Sequence, residues 1–149
     1  MTRALLIDDE PYARADLRER LGAHPEVTIV GEAATVRTAR SLLTSADYDL
    51  VFLDVHLVGG ESFQLLPDVR RGASVIFATA AAVHAGRAVT ADVVACLLKP
   101  VEPHRLAEAL RRVGAVQAAA ASGARGVTLR PAPAPVVNGG YSSPKIAFT

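Results

Sequence analysis

The chain of 149 residues holds a single cysteine, Cys96. An intrachain disulfide is therefore excluded, and this cysteine usage suits a reducing compartment. Also missing is any apolar run approaching the roughly 20 residues that span a bilayer. Nor does the start read as a secretory leader: a strand pattern follows directly after Met1-Thr2-Arg3, and Asp8 interrupts the apolar run. Neither sign of charge dominates. With 16 basic and 15 acidic residues the formal net charge is +1, so bulk charge gives no argument for nucleic acid. There is no internal repeat. The expectation is a cytoplasmic protein without membrane contact. Half of the residues are hydrophobic, enough to bury the core of one domain.

What the sequence does contain is a set of short apolar runs that end in reactive residues. Leu50-Val51-Phe52-Leu53 ends in Asp54. Ala4-Leu5-Leu6-Ile7 ends in Asp8-Asp9-Glu10. Val93-Val94-Ala95-Cys96-Leu97-Leu98 ends in Lys99-Pro100. Runs of this length between turn signals and helical spacers read as buried parallel strands, and five are expected, near residues 3–8, 27–31, 50–54, 74–78 and 93–98. Between them, Pro11 suits a first helical turn, with Ala13, Leu17 and Leu21 on one face and Gly22 as a stop. Thr35 is placed to cap a helix carrying Ala39, Leu42 and Leu43. Gly59-Gly60 reads as a loop, and Glu61 to Val69 as a short helix disturbed by Pro67. Residues 83–91 suggest a weak helix. Pro103 opens a stronger one with Leu106, Leu110 and Val113 at helical spacing. This alternation implies an α/β fold, a doubly wound parallel sheet with helices on both faces.

Composition divides the chain into a domain over residues 1–122 and a Pro/Gly-rich tail over 123–149. Arg130-Pro131-Ala132-Pro133-Ala134-Pro135 favours extended polyproline geometry and Asn138-Gly139-Gly140 is flexible, so no regular structure is expected from about Gly123 to Gly140. Lys145 to Thr149 reads as a strand without a partner in sequence.

In an open parallel sheet the carboxyl ends of the strands meet at one edge, where ligands bind. Clustered carboxylates there cost free energy unless a cation offsets them. Mg²⁺ takes oxygen ligands, typically one or two carboxylates with waters and phosphate oxygens. An aspartate beside such a metal can attack phosphorus to give an aspartyl phosphate. Lys99 can hold phosphate as a point charge, and Thr79, ending the fourth run, can donate a hydroxyl to it. Taken singly, acidic residues after strands are ordinary caps and turn formers. The combination in this order and spacing is what points to chemistry.

In that order the motifs resemble the response-regulator receiver family of two-component signalling, from about Arg3 to Ala120. Leu6-Ile7-Asp8-Asp9-Glu10-Pro11 is similar to its acidic first turn and Val51-Phe52-Leu53-Asp54-Val55 to its phosphoacceptor strand. Ala78-Thr79-Ala80 is similar to its hydroxyl turn and Leu97-Leu98-Lys99-Pro100 to its lysine turn. The resemblance implies a flavodoxin/CheY-like sheet of five parallel strands in the order 2-1-3-4-5. It implies Asp54 as phosphoacceptor for a sensor histidine kinase, with Thr79 and Lys99 binding the phosphoryl oxygens. Asp9, Asp54 and the backbone carbonyl of His56 would ligate Mg²⁺, and Asp8 would hold metal-bound water. A cis Lys99–Pro100 bond is implied, and so is a homodimer surface of the fourth helix, fifth strand and fifth helix. Asp8-Asp9-Glu10-Pro11-Tyr12-Ala13-Arg14 is closest to receivers joined to LytTR-type DNA-binding domains. The tail would then be the linker to such a domain, and DNA would be met only through it; a stand-alone receiver is the alternative.

Cys96 is a departure, because receivers usually carry Tyr or Phe three residues before the lysine. The thiol reads as a small buried hydrophobe, with a redox sensor as the sharper alternative. His24, His56, His84 and His104 are too scattered to suggest a histidine metal site. A rival from another class is a Mg²⁺-dependent phosphohydrolase resembling haloacid dehalogenases. Those enzymes place an acid/base aspartate two residues after the nucleophile, where this chain has His56, and they carry a cap insertion that is absent here.

Overall fold

Each expected apolar run forms a strand in the computed structural model, which describes residues 1–80 and 92–121 and the backbone of Val136–Val137. In chain order the elements are β1 (Thr2–Ile7), α1 (Pro11–Leu21), β2 (Val27–Ala33), α2 (Val36–Ser45) and β3 (Leu50–Leu53). A two-stranded ribbon follows, β4 (His56–Leu57) and β5 (Gly60–Glu61), then a 3-10 helix over Ser62–Asp68. The remainder is β6 (Ser74–Thr79), β7 (Val93–Leu98), α3 (Pro103–Ala121) and β8 (Val136–Val137).

The main sheet runs β2-β1-β3-β6-β7-β8, and every pairing in it is parallel. Leaving out the separate ribbon, the first five strands stand in the expected order 2-1-3-4-5. Burial of both faces explains why the inner strands β3, β6 and β7 are almost continuously apolar, whereas β2, at the edge, alternates between half-buried and exposed residues. Leu5, Ile7, Val51, Leu53, Val75 and Phe77 point to the face covered by α2 and the 3-10 helix. Ala4, Leu6, Leu50, Phe52, Ile76 and Ala78 point to the other, where Leu17 and Leu21 of α1 and Leu106, Ala109, Leu110 and Val113 of α3 close over them. Thr35 caps α2 as expected, accepting a hydrogen bond from Thr38 N at 3.0 Å within a reciprocal capping box.

Three local expectations change. Residues 62–68 form a 3-10 helix, because Pro67 cannot donate the backbone bond that an α-helix would need. Of the expected Gly59-Gly60 loop, Gly59 lies in the turn of the β4–β5 ribbon and Gly60 begins β5, paired with Leu57. Both glycines there have positive φ, 103° and 138°, where side-chain-bearing residues are strained. The tail was expected to lack regular structure through Gly140, yet Val136 and Val137 pair with Ala95 and Cys96 as a sixth parallel strand. Two β-branched residues suit extended backbone, and β7 would otherwise present an open edge. The expected helix over 83–91 and strand over 145–149 lie outside the described residues. Among the described residues no helix is long and apolar enough to cross a membrane.

Candidate functional site

Strand register brings the reactive residues together. Ile7 lies opposite Leu53 across the β1–β3 pair, so the next residues, Asp8 and Asp54, leave the sheet side by side. Asp54 N–H donates to Ile7 O at 2.9 Å, and Asp8 N–H donates to Ala33 O at 3.0 Å. Thr79 lies opposite Leu98, and Lys99 N–H donates to Thr79 O at 3.0 Å. The Lys99–Pro100 bond is cis, as the lysine turn led us to expect. Asp8, Asp54 and Thr79 are buried, with 8%, 6% and 1% of their surface exposed, so their charges and hydroxyl act outside bulk water.

Carboxylate oxygens of Asp8, Asp9 and Asp54 lie within 4.8 Å of one another. Lys99 Nζ approaches Asp8 Oδ2 at 2.5 Å, Asp54 Oδ2 at 3.0 Å and Glu10 Oε1 at 3.6 Å. The Thr79 hydroxyl donates to Asp54. Burial raises the Asp54 carboxyl above the usual carboxylate range and the Asp8 charge adds to the rise, while Lys99 and Thr79 pull the other way without cancelling it. For Lys99, burial opposes the ammonium charge. Its hydrogen bond to Asp8 and the attraction of Asp54 and Asp8 outweigh that, leaving the group above its ordinary value.

Hard oxygen donors grouped this closely suit a hard divalent cation, and among the described residues this trio is the one acidic cluster of that kind. A cleft of about 350 Å³ opens beside it, bordered by Glu10, Tyr12, Lys99 and Pro100, with Tyr12 90% exposed at its mouth. His56 begins β4, two residues past Asp54. Its ribbon is fixed by Ser62 N–H donating to Val55 O at 2.8 Å and by Val36 N–H donating to Val58 O at 2.9 Å.

The other candidates lie apart. Cys96 is fully buried and its thiol is pushed up to about 12, which makes it a poor nucleophile and favours the small-hydrophobe reading. His24 and His104 sit beside Glu26 and Glu102 at 3.5 and 3.9 Å, and His84 lies outside the described residues. Two residues that the sequence assigned no role also reach the site. Glu10 reaches Lys99, and Arg14 Nη1 donates to the backbone carbonyl of Asp8 at 2.6 Å. Glu10 stood within the acidic turn as a signal; a bond to a backbone oxygen leaves no signal in sequence.

Comparison with known proteins points the same way. The response regulator receiver domain family matches residues 4–111. The sensory transduction protein LytT of Enterococcus faecalis is 33% identical over 111 residues, 72% of this chain and 46% of LytT. LytR of Staphylococcus saprophyticus is 33% identical over 114 residues, 74% of this chain and 45% of LytR. The chain thus spans less than half the length of these relatives. Among solved structures, a LuxR-family two-component response regulator from Aurantimonas superposes with a TM-score of 0.68 at 25% identity, covering 77% of this chain and 86% of that one. The response regulatory domain of MrkE from Klebsiella pneumoniae gives 0.69 at 21% identity, covering 78% and 98%, a likeness of fold.

Proposed function

The chain belongs to the response regulator receiver domain family, with a role that is regulatory rather than enzymatic, and on that premise we propose that Asp54 accepts a phosphoryl group from a sensor histidine kinase. The observation that carries this reading is the contact set at Asp54. A buried carboxylate at a strand end sits against a lysine, a hydroxyl and two further aspartates.

An Asp54 oxygen attacks phosphorus, the phosphorus–nitrogen bond of the donor phosphohistidine breaks, and the donor nitrogen keeps that electron pair. Lys99 and the Thr79 hydroxyl, both already on Asp54, are placed to take up the oxygens of the arriving group. Asp9, Asp54 and the His56 carbonyl would hold Mg²⁺, with Asp8 on its water. When bound, the ion supplies positive charge that offsets both the carboxylates and the phosphoryl oxygens. Hydrolysis of the aspartyl phosphate by water at the same edge returns Asp54 to its starting state, so slow self-dephosphorylation belongs to this reading. The added charge redirects Thr79 and Lys99 toward the phosphate and biases the neighbouring elements.

The readout is a change at the face of β7 and α3, which would bind a second copy of the chain. Residues 123–149 would serve as a linker to a LytTR-type domain, through which alone DNA would be met. The setting is cytoplasmic, a reducing compartment that suits the single cysteine. The phosphohydrolase rival loses ground at His56, since the second aspartate it needs is absent.

Intact mass after incubation with a small phosphodonor tests the proposal. The chain gains one phosphoryl group with Mg²⁺ and none with chelator, and Asp54→Ala gains none. A gain that persists in Asp54→Ala refutes it.

A further inference from the structure

Arg14 lies on α1, one turn beyond the acidic loop, and spans two elements. Nη1 donates to Asp8 O at 2.6 Å and Nε donates to Glu32 Oε1 at 3.1 Å. Glu32 stands in β2 opposite Leu6 of β1, and Arg18 holds it from outside, with Nη2 2.7 Å from Oε2. The Asp8 carbonyl and the Asp9 N–H share one rigid peptide plane. Fixing that oxygen therefore fixes the direction in which the Asp9 backbone leaves the strand. The Asp8 side chain is held independently, by Glu10 N–H at 2.9 Å and by Lys99. Arg14 acts on the other half of the turn.

We propose that Arg14, braced by Glu32, is a positioning residue for the divalent cation site, holding the Asp8–Asp9 peptide so that Asp9 faces Asp54. The inference rests on the cation reading of Asp8, Asp9 and Asp54. Charge alone predicts the opposite sign, because a cationic side chain beside the trio repels a metal ion and its removal should tighten binding. Lysine keeps the charge but lacks the fork that reaches Glu32 and the carbonyl together.

The test is calorimetric titration of Mg²⁺ into the full chain without phosphodonor, for the unmodified protein, Arg14→Lys, Arg14→Ala and Glu32→Gln, with thermal melts confirming folding. Arg14→Lys and Arg14→Ala should each weaken Mg²⁺ binding about tenfold, the scale seen when groups that orient metal ligands are removed. Glu32→Gln should fall between them and the unmodified chain. Saturating Mg²⁺ should restore phosphodonor reactivity in each. Unchanged binding in Arg14→Lys, or tighter binding in Arg14→Ala, overturns the inference while leaving the cation reading intact. Absence of Mg²⁺ binding in the unmodified chain overturns both.

Discussion

Replacing Asp54 with Asn should stabilise the fold when no divalent cation is present. The magnitude follows from the charges around it. At an effective dielectric near 20, Lys99 at 3.0 Å attracts Asp54 by about 5–6 kcal/mol. The Asp8 oxygens within 4.8 Å repel it by at least about 3 kcal/mol. Removing the carboxylate from water costs several kcal/mol more. The balance lies slightly against the ionised group, which agrees with the upward displacement of its carboxyl. Asparagine keeps the shape without the charge, so a gain of about 0.5–2 kcal/mol is expected. The pH dependence has a definite sign. A carboxyl raised in the folded state binds its proton more tightly there, so the unmodified protein loses stability as pH rises from the ordinary carboxylate range through the raised value. The advantage of Asp54→Asn should therefore be full at neutral pH and vanish in acid, where Asp54 is itself protonated. Saturating Mg²⁺ should also remove it, because the ion stabilises only the carboxylate form. Urea melts of both proteins at several pH values, with Mg²⁺ and with chelator, measure this. An Asn variant less stable than the parent at neutral pH in chelator would refute the charge balance.

Lys99→Met should destabilise by about 3 kcal/mol, because it leaves two buried carboxylates without their cation; denaturant melts should show the loss and its partial recovery with Mg²⁺. Cys96→Tyr should destabilise by about 1–3 kcal/mol through overpacking, since the thiol is fully enclosed in the core beside Phe77; the same melts report it. Removing residues 123–149 should leave a cooperative transition and lower the melting temperature by only a few degrees, because a two-residue ladder contributes about 1–2 kcal/mol. Amide exchange at Ala95 and Cys96 should quicken in that truncation, and loss of cooperative folding would contradict the linker reading.

The sheet and its reactive edge were legible because one cause wrote both. A strand buried on two faces must be apolar throughout, so Leu50 to Leu53 marks its own extent, and the first charged residue after it marks the edge. Thr35 was legible for a similar reason, as its hydroxyl satisfies an otherwise unpaired N–H. The 3-10 helix over Ser62–Asp68 was less so, since the apolar spacing suits either helix type and Pro67 decides it through a single missing donor. Val136 and Val137 were hidden by the proline and glycine around them; what selects their conformation is an edge of β7 far away in sequence. Arg14 illustrates the same limit at the site. Its partner is the Asp8 carbonyl, an atom every residue carries, so composition and spacing held no trace of the bond.

If Asp54 is the acceptor, its carboxyl carries the phosphoryl group as a mixed anhydride open to hydride attack. Borohydride reduction of the freshly phosphorylated chain, followed by peptide mass analysis, converts an aspartyl phosphate to homoserine at the position that carried it. Homoserine is expected at position 54, dependent on Mg²⁺ during phosphorylation. Homoserine at position 8 or 9 instead, or phosphate retained on a histidine, would contradict Asp54 as the acceptor.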